Sequence, residues 1–185
     1  MESFSDFKLV KQLNYAINDL GFDKPTPIQK EAFSVVLSGK DIVGVAQTGT
    51  GKTLAYMLPI LQDLKFSKQV APRVAIMVPT RELVLQVVEN IESFAKYISL
   101  RVVGVYGGTN INTQMQSVAQ GADIIVGTPG RFYDLSLSGA LKLKAIKKLV
   151  IDEVDVMMDL GFLPQLTNIF ELLPEKRQNI MFSAT

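Results

Sequence analysis

Hydrophobic and polar positions along the chain follow two rhythms. Short apolar runs recur six times, each bounded by glycine, proline or polar residues, and such runs are typical of buried strands. Between them, apolar residues return every three or four positions, which indicates one face of a helix. The predicted strands are residues 41–45, 73–78, 102–106, 123–127, 149–151 and 178–182.

Helices are predicted in the intervals between these strands. Residues 8–20 have apolar side chains at helical spacing, and Gly21 ends that helix. Thr26 followed by Pro27 predicts a capping residue and the first position of the next helix. Further helices are predicted from 27 to about 37, from 51 through a kink at Pro59, from the cap Thr80 onward, from 111 to 119 and from 164 to 172, with residues 62–72 as a polar connection.

Strands that alternate with helices favour an α/β fold, in which helices cover both faces of a mostly parallel sheet in three layers. The 185 residues are enough for one domain, and no internal repeat or linker interrupts them. Ligands bind such sheets at the carboxyl ends of the strands. Because the polar motifs of this chain follow predicted strands, we expect them to meet at that end of the sheet.

Composition limits the chemistry that is available. The chain has 19 Lys and Arg, 18 Asp and Glu, a net charge of +1, and neither Cys nor His. A nearly neutral chain binds nucleic acid through a local patch, and the missing side chains exclude disulfides, thiolate metal sites and a histidine base. The first residues lack the pattern of a signal peptide and no apolar run is long enough to span a membrane, so a soluble cytoplasmic protein is expected.

The segment 46–53, AQTGTGKT, joins a predicted strand to a predicted helix. Gly49 and Gly51 permit backbone conformations in which successive N–H groups point into one concavity, and the helix adds the positive end of its dipole. Lys52 supplies a charge for the β- and γ-phosphates of a nucleotide, and the Thr53 hydroxyl can ligate Mg²⁺. A phosphate-binding loop is therefore predicted; the alternative is an ordinary strand–helix turn rich in Gly and Thr.

Two further sites carry polar side chains suited to nucleotide chemistry. After the strand 149–151, Asp152 is placed to hold Mg²⁺ and Glu153 to polarise an attacking water in a chain without histidine. A capping pair of acids is the alternative there. Gln29 lies in the first turn of its helix, from which its amide can face outward and pair with the N6/N7 edge of adenine. A solvated helix residue is the alternative for Gln29.

Together these motifs resemble the first RecA-like domain of DEAD-box ATP-dependent RNA helicases, and the resemblance covers essentially all of residues 1–185. Ala46, where the strict phosphate-loop pattern has glycine, is the family's own usage, whereas Val154 gives DEVD in place of DEAD. The segments that carry the resemblance are 4–29 (Q motif, with Phe4 as its upstream aromatic), 46–53 (motif I), 79–83 (motif Ia, followed by Val84 where alanine is usual), 107–108 (GG), 128–131 (Ib), 152–155 (II) and 183–185 (III).

The resemblance implies ATP and Mg²⁺ as ligands and an RNA-stimulated ATPase that locally unwinds RNA duplexes or remodels RNA–protein complexes. It implies that Gln29 selects adenine, that Phe22 packs near the base, and that Glu153 is the catalytic base, acting with Lys52 and Asp152. Thr53 and Asp152 would hold the Mg²⁺. The implied nucleotide-binding residues are Phe22, Lys24, Thr26, Gln29, Ala46, Gln47, Thr48, Gly49, Thr50, Gly51, Lys52 and Thr53.

The resemblance also implies an RNA site. Arg81, Arg131 and backbone N–H groups at glycine turns and helix starts suit phosphate oxygens, so binding is expected to be independent of base sequence and sensitive to salt. A salt bridge on a helix surface is the alternative for each arginine. Asp155 is expected to bond Ser183 and Thr185 and to couple the ATP site to RNA. The implied RNA-binding residues are Pro79, Thr80, Arg81, Gly107, Gly108, Thr128, Pro129, Gly130 and Arg131.

The family's second RecA-like domain, the implied partner of the first, has no counterpart in this sequence, and the first domain normally continues beyond motif III. A truncated, monomeric domain that does not unwind duplexes alone is therefore expected. The alternatives are a degenerate module that binds RNA or protein without turnover, and a DNA helicase on the same scaffold.

Two features depart from this picture or add to it. The methyl groups of Val154 would either overpack a tight site, and so affect the coupling of the ATP site to RNA, or be accommodated by a small neighbouring residue. The basic cluster of Lys142, Lys144, Lys147 and Lys148 is typical of a solvated face, with a supplementary RNA patch as the alternative.

Overall fold

A computed structural model describes residues 2–185, so Met1 of the predicted domain range 1–185 lies outside the described residues. The strands are β1 (Ile42–Val45), β2 (Val74–Met77), β3 (Val102–Val105), β4 (Ile124–Gly127), β5 (Lys148–Ile151) and β6 (Gln178–Ser183). They form one sheet in the order β1-β6-β5-β2-β4-β3, and every neighbouring pair is parallel. The predicted α/β class is therefore confirmed.

Helices connect the strands. The α-helices are α1 (Lys11–Asp19), α2 (Pro27–Leu37), α3 (Lys52–Asp63), α4 (Arg81–Phe94), α5 (Ile111–Ala119), α6 (Pro129–Leu137), α7 (Val154–Asp159) and α8 (Leu163–Leu172). Residues Phe4–Phe7 form a short 3-10 helix. None of the helices in residues 2–185 combines the length and the apolar character needed to cross a membrane.

Several predicted bounds were wrong. The first helix begins at Lys11 rather than at residue 8, because Val10 is extended and Ser3 caps a separate turn before it. α3 continues to Asp63, beyond the start of the predicted polar connection. The helices α6 and α7 were not predicted, although α6 carries a proline at its first position, as α2 does. The predicted kink at Pro59, which lies inside α3, stays a prediction.

Two apolar clusters cover the two faces of the sheet. On one face, α1 to α4 pack against alternate strand residues such as Ile76 and Val126, and on the other face α5, α6 and α8 pack against Met77 and Ile125. Adjacent strand residues point to opposite faces, so each strand contributes to both clusters. This double burial explains why the strands appear in the sequence as unbroken apolar runs.

The strand β1 is less buried than the pattern predicted. Val43 and Val45 point to the same face and are 73% and 63% exposed. β1 is an edge strand of the sheet in residues 2–185 and pairs with β6 on one side. The prediction of a buried strand was therefore right for the face that α2 and α3 cover and wrong for the other.

All six strands point the same way, so the sheet has two chemically different ends. The carboxyl end is where the strands finish, at residues such as Val45, Met77, Ile151 and Ser183, and the amino end is where they begin. Apart from the Q motif, which precedes β1, the predicted polar motifs follow strands and lie at the carboxyl end, as expected for a ligand site in an open α/β sheet.

Candidate functional site

The segment 46–53 leaves β1 and leads into α3. Gly49 and Gly51 have φ angles of +78° and +82°, a left-handed conformation that glycine adopts without strain. α3 begins at Lys52, so its first N–H groups and its dipole face the concavity of the loop. A Cβ at Gly51 would also displace the Gln29 amide, so a substitution there would disturb a second residue of the site.

Lys52 and Asp152 are brought together by the sheet. Lys52 is buried, and its Nζ donates a 2.9 Å hydrogen bond to the Ala46 carbonyl oxygen. Asp152 follows β5, is 5% exposed, and lies close enough to the Lys52 ammonium for this charge to lower its pKa. β1 and β5 flank β6, so the two segments end one strand apart at the carboxyl end.

Burial nevertheless dominates the protonation of Asp152. It raises the pKa of this carboxyl above the ordinary 3.8, against the lowering effect of the Lys52 ammonium. Tyr56 is fully buried, and burial together with the Asp152 charge raises the pKa of its hydroxyl well above the ordinary value. The fold thus holds a desolvated carboxylate where a bound cation would stabilise it.

Glu153 has an unusual backbone. Its φ and ψ are 55° and 50°, the left-handed region, which a residue with a Cβ occupies at a cost of about 1–3 kcal/mol. Its N–H donates a 2.9 Å hydrogen bond to Asp152 Oδ1, and α7 begins immediately after it. Backbone strain of this kind clusters at functional sites. Asp152 is buried and Glu153 is half-buried, so the two adjacent carboxyl groups lie in different environments.

A cavity of about 600 Å³ joins these residues, within the size range of small-molecule and cofactor sites. It runs from the Q-motif region past the phosphate loop to the acid pair. Of the predicted nucleotide-binding residues, Ala46 and Gln47 do not line it. The predicted residues that do are Phe22, Lys24, Thr26, Gln29, Thr48, Gly49, Thr50, Gly51, Lys52, Thr53, Asp152 and Glu153.

Gln29 lines the cavity, but its predicted outward orientation was wrong. The side chain is buried. Its Oε1 accepts a 2.9 Å hydrogen bond from the Thr26 N–H, and its Nε2 donates a 3.2 Å hydrogen bond to the Gly51 carbonyl oxygen. A primary amide has two donors and two acceptor lone pairs, so one donor and one lone pair remain for a base. Gln29 therefore ties the base end of the cavity to the phosphate loop.

Aromatic side chains form the far wall of the cavity. Phe22 is partly exposed and stacks on the buried Phe4 with ring centroids 6.5 Å apart. Both rings line the cavity together with Lys24. A flat apolar wall beside a polar amide suits a purine base, which offers π faces and hydrogen-bonding edges.

The side chains present fit Mg²⁺ held jointly with phosphates. Asp152 offers a buried carboxylate and Thr53 a hydroxyl at the same cavity. The Tyr56 hydroxyl oxygen is buried without a hydrogen-bond partner among the described residues. Within residues 2–185, no group of three or more acidic side chains is placed to cage a metal alone. A buried carboxylate and a hydroxyl at one cavity suit Mg²⁺, which keeps waters and is bound through one or two carboxylates plus substrate phosphates.

Asp155 links α7 to the end of β6. Its Oδ2 accepts hydrogen bonds from Thr185 Oγ1 at 3.1 Å and from the Ala184 N–H at 3.2 Å, while the Ser183 hydroxyl accepts one from the Thr185 N–H at 3.3 Å. Desolvation raises the pKa of Asp155, but the hydrogen bonds, that from Thr185 first, bring the net pKa below its ordinary value. Val154 is half-buried against the apolar cluster of the second face.

The residues predicted to bind RNA lie along the carboxyl end beyond the cavity. The exposed Arg81 begins α4, capped by Thr80, and its guanidinium lies 5.1 Å from the Tyr106 ring centroid. Gly107 and Gly108 follow β3 and are exposed, and Pro129 begins α6. The starts of α4 and α6 therefore present backbone N–H groups at this end.

Arg131 is held more tightly than the sequence suggested. It donates to Gln114 Oε1 at 3.0 Å and to the Thr109 carbonyl oxygen at 2.8 Å. The amide of Gln114, which is buried, also bonds the backbone N–H and carbonyl of Tyr106. Arg131 thus fixes the loop after β3 and forms no salt bridge within residues 2–185. Its contact with RNA phosphate stays a prediction.

Sequence reasoning missed three parts of this site. Tyr56 and Gln114 are polar residues inside apolar helices, where no motif marks them. The third part is a polar stripe on α4 at helical spacing, which lines the cavity opposite the phosphate loop. It consists of Gln86, Asn90 and Ser93. Its spacing was visible in the sequence, but the direction in which α4 faces was not.

Replacing Asp152 by asparagine is expected to stabilise the free chain at pH 7. A carboxyl with a raised folded-state pKa contributes stability below its ordinary value of 3.8 and loses it as pH rises through the folded-state value. The stability of Asp152→Asn relative to the unchanged chain should therefore increase across that window. Urea unfolding from pH 4 to 7 measures this, with the exposed Asp159→Asn as control. A less stable Asp152→Asn at pH 7 would contradict it.

The sequence and the fold were compared with known proteins. Residues 26–185 match the family model for DEAD/DEAH box helicases. The chain is 42% identical over 184 residues to the ATP-dependent RNA helicase DeaD of Escherichia coli K12, covering 99% of this chain and 29% of the relative. It is 43% identical over 192 residues to the pre-mRNA-processing ATP-dependent RNA helicase prp-5 of Neurospora crassa, covering 100% of this chain and 16% of that protein.

The fold has a matching solved structure. A crystal structure of a DEAD box protein from the hyperthermophile Methanococcus jannaschii superposes with a TM-score of 0.95 at 34% identity, covering 100% of this chain and 50% of that one. The chain therefore spans half or less of the length of each of these similar proteins.

Proposed function

Because the chain belongs to the DEAD/DEAH box helicase family, we propose that it is the ATP-binding and catalytic part of an RNA helicase. The single observation that carries this proposal is the cavity that gathers Gln29, Lys52, Asp152 and Glu153 from separate segments of the chain. In this proposal each residue has one role: Gln29 would recognise adenine, Lys52 would bind phosphates, Asp152 would bind the metal and Glu153 would activate water.

ATP would bind with its base toward Phe22 and Gln29 and its phosphates toward the loop 46–53. The Gln29 amide would use its remaining donor and lone pair on the N7 and N6 of adenine. Lys52 would exchange its bond to the Ala46 carbonyl oxygen for bonds to the β- and γ-phosphates. The same amide also bonds Gly51, so base recognition and loop conformation would be linked.

Hydrolysis would use the acid pair. Asp152 and Thr53 would hold Mg²⁺, which supplies charge neutralisation between the β- and γ-phosphate oxygens. Glu153 would accept a proton from the attacking water, because no histidine is present in the chain. The left-handed backbone of Glu153 supports this assignment, since strained backbone of this kind clusters at active sites.

RNA would bind along the same end of the sheet without base specificity. Arg81 and the first N–H groups of α4 and α6 suit phosphate oxygens. The bond between Asp155 and Thr185 would connect this surface to the ATP site. Unwinding would need a second RecA-like domain to complete the site and close over both ligands, so this chain alone is expected not to separate duplexes.

Nucleotide selectivity tests the proposal. ATP should bind more tightly than GTP by about 5- to 100-fold, because one bidentate amide–base pair is worth about 1–3 kcal/mol of discrimination. In Gln29→Ala the two affinities should converge to within about threefold. Calorimetric titration measures both, and the exposed Gln12→Ala serves as the matched control. Equal affinities in the unchanged chain would contradict adenine selection by Gln29.

A further inference from the structure

We propose that the amino end of the sheet is a second surface for single-stranded nucleic acid, on which Phe66 stacks a base. This goes beyond the proposed function, which concerns the carboxyl end. The two surfaces are separated by the length of the strands, about 13 Å for four residues. The inference rests on the distribution of charge, on a recess between lysines, and on an exposed aromatic ring held in place by arginines.

Charge is strongly segregated between the two ends of the sheet. The segments that lead into the six strands are residues 38–41, 64–73, 95–101, 120–123, 138–147 and 173–177. They hold eleven of the 19 Lys and Arg but three of the 18 Asp and Glu, so they carry a net +8 in a chain whose total is +1. The rest of the chain is accordingly net −7. A nearly neutral chain therefore presents one strongly basic end.

Most of these basic side chains are available to a ligand. Those that are exposed and form no ion pair within residues 2–185 are Lys40, Lys65, Lys68, Lys142, Lys144, Lys147 and Lys176. Nearby, Lys65, Lys147 and Lys148 border a recess of about 240 Å³ together with Arg73 and with Asp63, whose carboxylate lies 3.4 Å from the Lys148 ammonium. Because Lys147 and Lys65 come from different connections, tertiary structure creates a concave basic site that the predicted cluster at 142–148 did not contain.

The loop after α3 presents an exposed aromatic ring next in sequence to Lys65, which lines this recess. Phe66 is 70% exposed and stands between Lys65 and Lys68. The loop is fixed: Arg73 donates to the Lys65 carbonyl oxygen at 2.6 Å, and Arg101 to those of Ser67 and Gln69. Because hydrogen bonds fix the backbone on both sides of Phe66, its exposed ring is preorganised to contact a ligand.

A buried carboxylate anchors the two arginines. Asp123 accepts from Arg73 Nη2 at 3.0 Å and from Arg101 Nε at 3.1 Å, and it is 5% exposed. Burial raises the pKa of Asp123, but the hydrogen bonds from Arg101 and Arg73 bring the net pKa below its ordinary value. The two guanidinium groups therefore bond Asp123 and the loop, and the exposed lysines supply the charge with which this surface can bind a ligand.

Single-stranded nucleic acid fits this combination better than an acidic protein does. A lysine-lined groove beside an exposed aromatic ring is how proteins bind single strands without base specificity. An acidic protein segment would use the lysines but gain little from the flat face of Phe66. Duplexes would not use the ring, since their bases are stacked internally. The aromatic contact therefore decides between the partners.

The first test is a salt-dependent titration without nucleotide, using a fluorescein-labelled oligouridine of about 12 nucleotides. The triple variant Lys65→Gln, Lys68→Gln, Lys147→Gln should weaken binding at least about tenfold and reduce the slope of log K against log salt by about 2. The control Lys8→Gln, Lys11→Gln, Lys30→Gln removes the same charge elsewhere and should leave the slope within about 0.5. Equal slopes for the two triple variants would overturn the inference.

The second test concerns the ring. Phe66→Leu should weaken oligouridine binding about fivefold or more, and Phe66→Tyr should restore it, because stacking needs a flat π face. Photocrosslinking with 5-bromouridine RNA and peptide mapping should place the adduct at Phe66. If Phe66→Leu binds normally and polyglutamate competes as well as RNA at equal charge, the surface recognises acidic partners in general and the inference is wrong.

A third titration distinguishes failure of this inference from failure of the proposed function. Repeating the titration in Arg81→Gln removes a proposed phosphate contact at the carboxyl end. Binding that survives Arg81→Gln but is lost in the triple variant supports the amino-end surface, whatever happens at the ATP site. Binding lost in Arg81→Gln and kept in the triple variant overturns this inference and leaves the proposed function standing. Circular dichroism establishes that each variant is folded.

Discussion

Replacing Glu153 by glutamine is expected to lower ATP hydrolysis about 10³-fold while leaving ATP binding within about twofold, since a positioned general base contributes about 10²–10⁴. Glutamine has the size of glutamate but cannot accept the proton of the attacking water. Glu153 lines the cavity beside Asp152, and the chain has no histidine that could replace it.

Single-turnover hydrolysis with the chain in excess over labelled ATP, with and without single-stranded RNA, measures this effect. The same pair of proteins should be compared in a longer protein that joins this chain to a second RecA-like domain, where turnover is expected to be faster. The exposed Glu175→Gln is the matched control. Hydrolysis at the original rate in Glu153→Gln would remove this residue from the role of base.

The second large effect is expected for Lys52→Ala, which should weaken ATP binding about 100-fold, since removing one partner of a buried charge pair costs about 2–5 kcal/mol. Lys52 is 7% exposed, so its contacts with phosphates would be shielded from water. Burial raises the pKa of the Asp152 carboxyl and the Lys52 charge opposes that rise, so loss of the ammonium leaves this acid less compensated.

Comparison of nucleotides makes this test specific. Affinity for ATP and ADP should fall in Lys52→Ala, whereas affinity for AMP should change little, because the lysine is proposed to meet the β- and γ-phosphates. The exposed Lys11→Ala controls for charge. A uniform loss for all three nucleotides would mean that the variant disturbs the whole cavity, and an unchanged affinity for ATP would exclude Lys52 from phosphate binding.

Much of the fold and of the site was predictable because both depend on short-range patterns. Apolar runs predicted all six strands, and the confirmed parallel order placed residues after strands, such as Lys52 and Asp152, at one end. Glycine at positions 49 and 51 predicted left-handed turns, which the φ angles confirm. These features follow from steric limits on the backbone and from the period of side chains along strands and helices.

Other features were not predictable because they depend on which surfaces meet. The amide of Gln29 was expected to face outward, yet it is buried between Thr26 and Gly51. The bonds of Arg131 to Gln114 and Thr109 were likewise not predicted. In each case the side chain found a partner across a contact between elements that are distant in sequence, and local patterns carry no record of that partner.

By itself, the sequence determined the order and type of most elements, the left-handed glycines of the phosphate loop and the family to which the chain belongs. Local backbone sterics and the spacing of apolar residues are sufficient for these. Only the tertiary structure decided that Asp152 is desolvated beside Lys52 and Tyr56, and that basic residues from five separate connections share the amino end of the sheet. Desolvation and local charge density both depend on which residues lie close together in space. The parallel order of the strands determines which residues these are.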